Sequence, residues 1–442
     1  MSKEKHARRI VLVTLFFFAI VCPSLLLTAC SGASKRVELP LLYGAVEKAD
    51  TYDPDIYAPG LMSVIKSHLL TEVRLISDTS EEQASKKTVT LLASSYETPE
   101  KRGENGTKST LFNASDQILY GRALVAMRNK RAFYKWMRDF DEAFWRDDSS
   151  FHDAWLRIEE SDSTEWAKAS SDPVILRGNV HWPVTLAYTR ALLEAWRLWG
   201  GGELERSIMK ASDALWPIFE NKKTDQPFRA GAQLPLALDV WEEPWPLPDD
   251  DIVRMGTLLF EIDLWALLSL SRFEPKWAPV ATYWIALTER ANEDGNLPFM
   301  APAVNATTQE YVVLRDGEQV IFLREQLIMA LHLAEVGLSD DTFLSMIRSS
   351  LRDNKRLPIG WNVINSAPLA IEATPCEYAL AMRLGRAVGD LQLIEDANEA
   401  LLRHRVASQN SVIFGGLYRD GSTLYTNTLT AIDNAWGVLA LR

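Results

Sequence analysis

Apolar residues recur at intervals of three and four along most of the chain, the spacing that places them on one face of an α-helix. The pattern predicts about twelve helices. In successive antiparallel pairs they would form an (α/α)6 toroid, an all-α fold, although an irregular superhelix or a globin-like packing would give a similar count. The predicted helices cover residues 61–73, 116–127, 132–145, 184–199, 203–219, 254–270, 277–291, 325–336, 341–351, 374–388, 391–405 and 430–441.

Period-two alternation and turn residues predict short β-hairpins on the loops. The segments are 88–93, then 311–314 turning at Asp316-Gly317 into 319–323, and 412–418 turning at Asp420-Gly421. No Pro/Ser-rich or low-complexity linker divides the helical region. We therefore expect a single domain over residues 51–442.

The first thirty residues have the pattern of an export signal. A basic start is followed by an almost wholly apolar run over residues 10–27, which ends in Leu27-Thr28-Ala29-Cys30. This ending is the bacterial lipobox, and it predicts cleavage after residue 29 and acylation of Cys30, with palmitate among the chains. Residues 30–50 would be a tether at an extracytoplasmic membrane surface. The alternatives are an ordinary signal peptide or a membrane span with an accidental cysteine.

Cysteine count and charge narrow the possible ligands. Of three cysteines, only Cys376 would remain in the folded part, so no intrachain disulfide is expected there, and no Cys/His cluster has metal-ligand spacing. The formal charge of -12 argues against nucleic acid and favours neutral or cationic ligands. Because ATP and nicotinamide are scarce outside the cytoplasm, we expect no cofactor.

Fifteen tryptophans suggest two different roles. Those inside predicted helices, such as Trp136 and Trp265, are expected to fill the core. Four others are predicted to lie in loops, beside Pro, Gly or acidic residues, where a flat ring could stack on a sugar: Trp182, Trp241, Trp245 and Trp361. These tryptophans indicate a carbohydrate cleft, and core filling is the alternative.

The segment Leu111-Phe112-Asn113-Ala114-Ser115-Asp116-Gln117-Ile118-Leu119-Tyr120-Gly121 places an acid one turn before Tyr-Gly. The segment resembles the Ser-Glu-Gly-Gln-x-Tyr-Gly motif of glycoside hydrolase family 8, and the following Ala132-Phe133-Tyr134-Lys135-Trp136 resembles the family's next helix. The resemblance implies an (α/α)6 fold, an inverting hydrolysis of polysaccharides, and Asp116 as the general acid. Taken alone, Asp116 could equally be a first-turn acid that stabilises its helix.

Later segments resemble the family in the same order, from about residue 61 to the end. Ala191-Leu192-Leu193-Glu194-Ala195 is similar to a family helix, Asp263-Leu264-Trp265, Trp277 and Gly295-Asn296-Leu297-Pro298 to later segments, and Ile432-Asp433-Asn434-Ala435-Trp436-Gly437 to the closing helix of relatives encoded with exopolysaccharide machinery. Glu325-Gln326 lies where the family has its base. The resemblance therefore implies Glu325 as the general base, with Tyr120, Asp263, Trp182 and Trp361 binding the sugar.

The chain departs from the family pattern at three acids. Aspartate replaces glutamate at the acid position, glutamate replaces aspartate at the base position, and the middle acid falls on Val184 or Thr185. Glu325 could instead be a solvated acid paired with Arg324, and Asp263 could cap or pair within its helix.

The expected function is hydrolysis of a cell-surface or secreted polysaccharide by a lipid-anchored enzyme. Two alternatives remain open. The missing middle acid allows a catalytically impaired protein that binds a polysaccharide beside exopolysaccharide export machinery. The toroid could also be a scaffold for partner proteins at the membrane.

Overall fold

The computed structural model describes residues 37–44, 54–76, 86–101, 104–159, 174–229, 253–292, 298–312, 320–362 and 366–442. The chain separates into two units, Met1–Leu39 and Pro40–Arg442, and every element below belongs to the second. Within the described ranges, no helix is both long enough and apolar enough to cross a membrane. Cys30 and the predicted cleavage site lie outside the described residues, so the lipid anchor stays a prediction.

Helices make up most of the described structure. Twelve α-helices follow one another in these ranges: α1 (Pro54–Val64), α2 (Ala114–Ala126), α3 (Lys130–Phe144), α4 (Trp182–Trp199), α5 (Gly202–Glu220), α6 (Leu264–Phe273), α7 (Trp277–Arg290), α8 (Leu323–Glu335), α9 (Asp341–Asn354), α10 (Pro375–Val388), α11 (Leu391–Arg403) and α12 (Ala431–Ala440).

The even-numbered helices form a closed inner ring. α2 packs on α4, α4 on α6, α6 on α8, α8 on α10, α10 on α12, and α12 returns to α2. The odd-numbered helices lie outside: α1 packs on α12, and α3, α5, α7 and α11 each pack on the inner helix before them. Helices α2 and α12 are buried over nearly their whole length, as an inner position requires. The predicted (α/α)6 toroid is confirmed.

Close packing between α2 and α3 explains a glycine of the Tyr-Gly pair. A Cβ on Gly121 would lie 2.4 Å from the Trp136 ring, which is buried among the aromatic side chains of Phe133, Phe140 and Tyr188. Any side chain larger than hydrogen at residue 121 would therefore overlap the tryptophan ring. Trp136 therefore fills the core, as expected for a tryptophan inside a helix.

Short strands connect the helices. They are β1 (Leu70–Ile76), β2 (Lys86–Leu92), β3 (Ser95–Glu97), β4 (Thr107–Lys108), β5 (Leu111–Asn113), β6 (Trp145–Arg146), β7 (Phe151–His152), β8 (Trp155–Glu159), β9 (Val174–Arg177), β10 (Gln226–Arg229), β11 (Val253–Leu258), β12 (Ala303–Val304), β13 (Tyr311–Val312), β14 (Val320–Phe322), β15 (Gly360–Asn362), β16 (Arg419–Asp420) and β17 (Asn427–Thr430). Their pairs are antiparallel, within sheets ordered β1-β2, β10-β11-β12-β13, β14-β15, β16-β17-β3-β4, β5-β8-β9 and β6-β7. Strands β5, β14 and β17 lead directly into the inner helices α2, α8 and α12.

Two predicted helices are partly wrong. The helix predicted over 61–73 ends at Val64, and a π-helical turn (Ile65–Leu69) then leads into β1, whose Val73 and Leu75 are buried in alternation. The helix predicted over 254–270 begins only at Leu264, after β11 and a 3₁₀ turn (Leu259–Glu261). In both cases cross-strand pairing outweighed an apolar pattern that a helix would also satisfy.

The strand predictions have mixed outcomes. The strand over 88–93 is confirmed as β2, which pairs with β1. The hairpin over 311–323 is not seen in the described residues, where β13 pairs with β12 and β14 pairs with β15; residues 313–319, which include its turn, lie outside them, so this hairpin stays a prediction. The strand over 412–418 is wrong, because that segment forms turns, and the hairpin begins later with β16 and β17.

Candidate active site

The six inner helices begin at one end of the toroid. Each of α2, α4, α6, α8 and α10 is joined to the next outer helix by a short turn, so the outer helix runs back antiparallel and the following inner helix starts at the same end. Six acidic side chains lie at these starts: Asp116 (α2), Glu261 and Asp263 (before α6), Glu325 (α8), Glu377 (α10) and Asp433 (α12). Three of the six, Asp263, Glu377 and Asp433, form ion pairs with arginines.

Asp116 occupies the first turn of α2 and is only 5% exposed. Asn113 Nδ2 donates to its Oδ2 at 3.4 Å. Burial raises the pKa of Asp116 to about 7, while the hydrogen bonds from Asn113 and Ser94 and the charge of Arg324 act to lower it. A carboxyl group with a pKa near neutrality can hold a proton and release it, which is what a general acid requires.

Glu325 lies in the first turn of α8, directly after β14. Burial raises the pKa of Glu325 to about 7, against a lowering effect of the Arg324 charge. The Arg324 guanidinium itself bonds Glu377 at 2.7 Å, and no structural ion pair joins it to Glu325 among the described residues. The alternative interpretation of Glu325 as a solvated acid paired with Arg324 therefore does not match this geometry.

An amide follows the acid on three of the inner helices and fixes it in place. The Gln117 amide donates to Leu92 O and accepts from Leu92 N. The Gln326 amide does the same with Met300, and the Asn434 amide with Leu417. Each clamp fastens the first turn of its helix to a neighbouring loop or strand. The preceding acids, Asp116, Glu325 and Asp433, thus start from rigid backbone positions.

Asp433 has a different environment from Asp116 and Glu325. Its carboxylate is fully buried and accepts hydrogen bonds from Arg419 Nε at 2.6 Å and Arg419 Nη2 at 2.8 Å, and from Thr430 Oγ1 at 2.7 Å. Although burial works to raise its pKa, Arg419 and Thr430 hold the pKa of Asp433 below its ordinary value. Asp433 is therefore an ion-paired carboxylate that ties β16 to α12.

The sequence did not single out Glu261. It ends the 3₁₀ turn before α6, its side chain is 17% exposed, and its Oε1 lies 3.8 Å from His181 Nε2. Burial and the charge of Glu325 raise the pKa of Glu261 to about 8, so the two carboxyl groups are close enough to interact. The residue was missed because 254–270 was assigned to a helix and no family motif includes it.

The first turn of α4 has no acid. At the two positions predicted to replace the middle acid, Val184 is buried and Thr185 is fully buried, with the Thr185 hydroxyl accepting from the His152 backbone N at 3.2 Å and bonding its Nδ1 at 3.0 Å. The structure therefore also lacks an acid at the start of α4, where the family pattern has one.

Asp263 and Tyr120 lie close to the site but are already partnered or buried. Asp263 Oδ1 accepts from Ala266 N at 2.8 Å, which caps α6, and both carboxylate oxygens accept from Arg190 Nη1 at 3.0 and 3.2 Å. This is the capping and pairing role that the sequence left open. Tyr120 lies one turn after Asp116, and burial raises its pKa to about 12. Their contact with a sugar stays a prediction.

Contrary to the prediction, Trp182 and Trp361 do not lie in loops. Trp182 is the first residue of α4 and packs edge-on against Phe219, and Trp361 lies in β15 against Phe299. They are 6% and 4% exposed, so neither presents an open ring face. This geometry favours core filling for both. Trp241 and Trp245, together with residues 295–297, lie outside the described residues.

A buried ion network links the inner helices. Arg190 (α4) is 1% exposed and pairs with Glu194, Asp263 and Glu335 at 2.8 to 3.0 Å. Arg122 also pairs with Glu194, and Arg383 with Glu335. Three arginines balance three carboxylates, which is the condition for burying charge inside a protein. The network connects α2, α4, α6, α8 and α10.

Comparison with solved structures gives the same architecture. A novel α-amylase from Clostridium perfringens superposes with a TM-score of 0.59 at 17% identity, over 90% of this chain and 99% of that one. A cold-adapted family 8 xylanase in complex with substrate gives 0.54 at 10% identity, over 91% and 93%. PssZ from Listeria monocytogenes gives 0.50 at 12% identity, over 86% and 93%. No protein-family profile and no curated protein sequence matches the chain.

The protein therefore has the six-hairpin fold of the family 8 glycosidases, and the resemblance read from its sequence motifs is confirmed at the level of the fold. On that fold, Asp116 and Glu325 lie at the starts of inner helices α2 and α8.

Proposed function

We propose that the protein is a glycoside hydrolase that cuts a polysaccharide internally, with inversion at the anomeric carbon. The observation that carries the proposal is the pair Asp116 and Glu325. Both carboxyl groups lie at the same end of the toroid, Asp116 buried and Glu325 partly buried, and the pKa of each is raised to about 7. Groups with such pKa values are able to exchange protons at neutral pH.

In the proposed reaction Asp116 gives its proton to the glycosidic oxygen as the bond to the anomeric carbon breaks. A water attacks that carbon from the opposite face, and Glu325 takes the proton that the water loses. Inverting enzymes place their two carboxyl groups about 6.5–9.5 Å apart to leave room for this water. The charge of Arg324 helps to keep Glu325 ionised, because a nearby cation favours a carboxylate.

The proposed substrate class rests on two observations. Two of the structurally similar proteins are named as an α-amylase and a xylanase, so this fold carries polysaccharide hydrolysis elsewhere. The net charge of -12 favours a neutral or cationic polymer over an anionic one. No step of the proposed chemistry needs a cofactor.

The test is release of reducing ends from soluble xylan, carboxymethylcellulose, starch and chitosan by the full chain and by Asp116→Asn and Glu325→Gln. We expect wild type to cut at least one polymer. Each variant should lose at least about 100-fold in kcat, because each removes one proton-transfer partner. Glu399→Gln, an exposed change on α11, is the matched control and should be active. Activity retained in Asp116→Asn would refute the assigned acid.

One observation favours a second candidate. Because α4 has no acid in its first turn, the protein could bind a polysaccharide during exopolysaccharide export without cutting it. Isothermal calorimetry with the same polymers separates the two functions. Binding by wild type without any release of reducing ends would support the second.

We also propose that the mature chain is held at a membrane by acyl chains on Cys30, on the strength of the Leu27-Thr28-Ala29-Cys30 sequence. Metabolic labelling with palmitate should mark wild type and leave Cys30→Ser unlabelled. Equal labelling of both would contradict the proposed anchor. An enzyme anchored in this way would act on polymers at the same membrane surface.

A further inference from the structure

The proposed reaction needs a second group to hold the attacking water. Glu325 can accept one hydrogen of that water, but a single acceptor leaves the oxygen free to rotate away from the anomeric carbon. Any further acceptor must face Glu325 across a gap that is wide enough for a water. It must also have an oxygen that is not already consumed by the protein.

Glu261 meets the geometric requirement. Its 3₁₀ turn packs against α8, the helix that carries Glu325. The charge of Glu325 acts on Glu261, yet no hydrogen bond joins the two carboxyl groups among the described residues. Glu261 and Glu325 thus lie at the starts of neighbouring inner helices without a direct bond between them, and the arrangement proposed below is one in which a water bridges them.

Glu261 also retains acceptor capacity. The ion pair to His181 is 3.8 Å long, beyond the usual range of a hydrogen bond, so it orients the carboxyl group without occupying its lone pairs. The side chain is partly exposed at the mouth of the toroid rather than sealed in the core. The first turn of α4 has no acid. Among the described residues at these helix starts, Glu261 is therefore the third carboxyl group without an arginine partner, beside Asp116 and Glu325.

We propose that Glu261 is the positioning residue for the attacking water: it accepts the second hydrogen of the water whose first hydrogen Glu325 accepts. The inference rests on the proposed function. In the step, the water oxygen bonds to the anomeric carbon, one water proton passes to Glu325, the other stays on the new hydroxyl group, and the leaving oxygen takes the proton of Asp116. Glu261 undergoes no net change.

The first experiment compares Glu261→Gln with Glu261→Ala on the polymer that wild type cuts best. The glutamine keeps a carbonyl oxygen at the same place and should retain kcat within about 10-fold. The alanine removes the acceptor and should lower kcat about 100-fold with KM nearly unchanged, because a misplaced reactant costs about that much. An equal loss in both variants, or a change confined to KM, would overturn the inference.

The second experiment does not need activity, so it distinguishes failure of this inference from failure of the proposed function. If Glu261 and Glu325 interact as proposed, Glu261→Gln should raise Tm relative to wild type more at pH 9 than at pH 5, because it removes a carboxyl group whose proton the folded state holds up to about pH 8. In a Glu325→Gln background this pH-dependent gain should shrink, since the facing charge is already gone.

Circular dichroism is used to check that each variant is folded, and Glu399→Gln, an exposed change on α11, is the control for a substitution far from the site. A pH-dependent gain of equal size in both backgrounds would show that the two carboxyl groups do not interact, and it would overturn the proposed geometry. Loss of the gain in the Glu325→Gln background, together with no cleavage of any polymer by wild type, would keep the geometry and refute the proposed function.

Discussion

Replacing Asp116 by asparagine should change how the stability of the protein depends on pH. Burial raises the pKa of Asp116 from 3.8 to about 7, a difference of about 3 units, and each unit corresponds to about 1.4 kcal/mol, or about 4 kcal/mol in all. The folded state binds this proton more tightly than the unfolded state. Wild type therefore loses stability as the pH rises from about 4 to about 7, and above that the full cost is present.

The asparagine variant does not titrate at this position. Its free energy of unfolding relative to wild type should therefore rise by up to about 4 kcal/mol between pH 4 and pH 8. Urea unfolding followed by tryptophan fluorescence at several pH values measures the difference. A fixed offset from altered hydrogen bonds to Asn113 and Ser94 does not affect the slope. Parallel profiles of wild type and variant would refute the reasoning.

Asp433→Asn is the matched control, with the opposite sign. Arg419 holds the pKa of Asp433 below its ordinary value, so the ionised carboxylate stabilises the fold above that value and the contribution is lost as the pH falls through the folded pKa. The variant leaves Arg419 without its partner and should cost about 3–5 kcal/mol at pH 7. This cost should shrink in acid. A variant as stable as wild type at pH 7 would contradict the assignment.

Two further substitutions and one control variant test the packing and the ion network of the toroid by the same unfolding measurement. Gly121→Ala should destabilise by about 1–2 kcal/mol, because overpacking against the buried Trp136 ring outweighs the better helix propensity of alanine; Gly60→Ala in α1 has nothing within 4 Å and should be neutral or stabilising, and equal effects would contradict the steric explanation. Arg190→Met should cost about 3–5 kcal/mol by leaving buried carboxylates unpaired, and a loss below about 1 kcal/mol would show that the ion network contributes little.

The helices were largely predictable because burial on one face leaves a repeat of 3.6 residues in the sequence. The exceptions share a cause. Residues 70–76 and 253–258 are apolar enough for a helix, but they pair with strands that are distant in sequence or follow a loop, and single-chain periodicity does not contain that information. The helix predicted over 254–270 therefore included β11 and the 3₁₀ turn, which precede α6.

The site was predictable only where a motif marks it. Asp116 and Glu325 came from the order of family-like segments, and the structure places both at one end of the toroid. Glu261 has no motif, and its closeness to Glu325 comes from the packing of α6 against α8. The acid-amide pairs at Asp116, Glu325 and Asp433 are visible in the sequence, but their clamping role depends on which backbone each amide meets.

The loop position predicted for Trp182 was wrong for a different reason. Because Trp182 stands beside a proline, it was predicted to lie in a loop and stack on a sugar. Pro183 is instead the second residue of α4, a position where proline fits a helix start, and Trp182 packs against Phe219 in the core. Proline marked a helix boundary here rather than a loop.

The anomeric configuration of the first product tests the central claim most directly. Wild type is mixed with the polymer that it cuts best, and ¹H NMR spectra are recorded before the new reducing ends equilibrate. Two carboxyl groups acting on a water predict that the nascent end has the inverted configuration, and that Asp116→Asn and Glu325→Gln produce no such signal. A nascent end with the retained configuration, or inverted product from Asp116→Asn at the wild-type rate, would contradict the account.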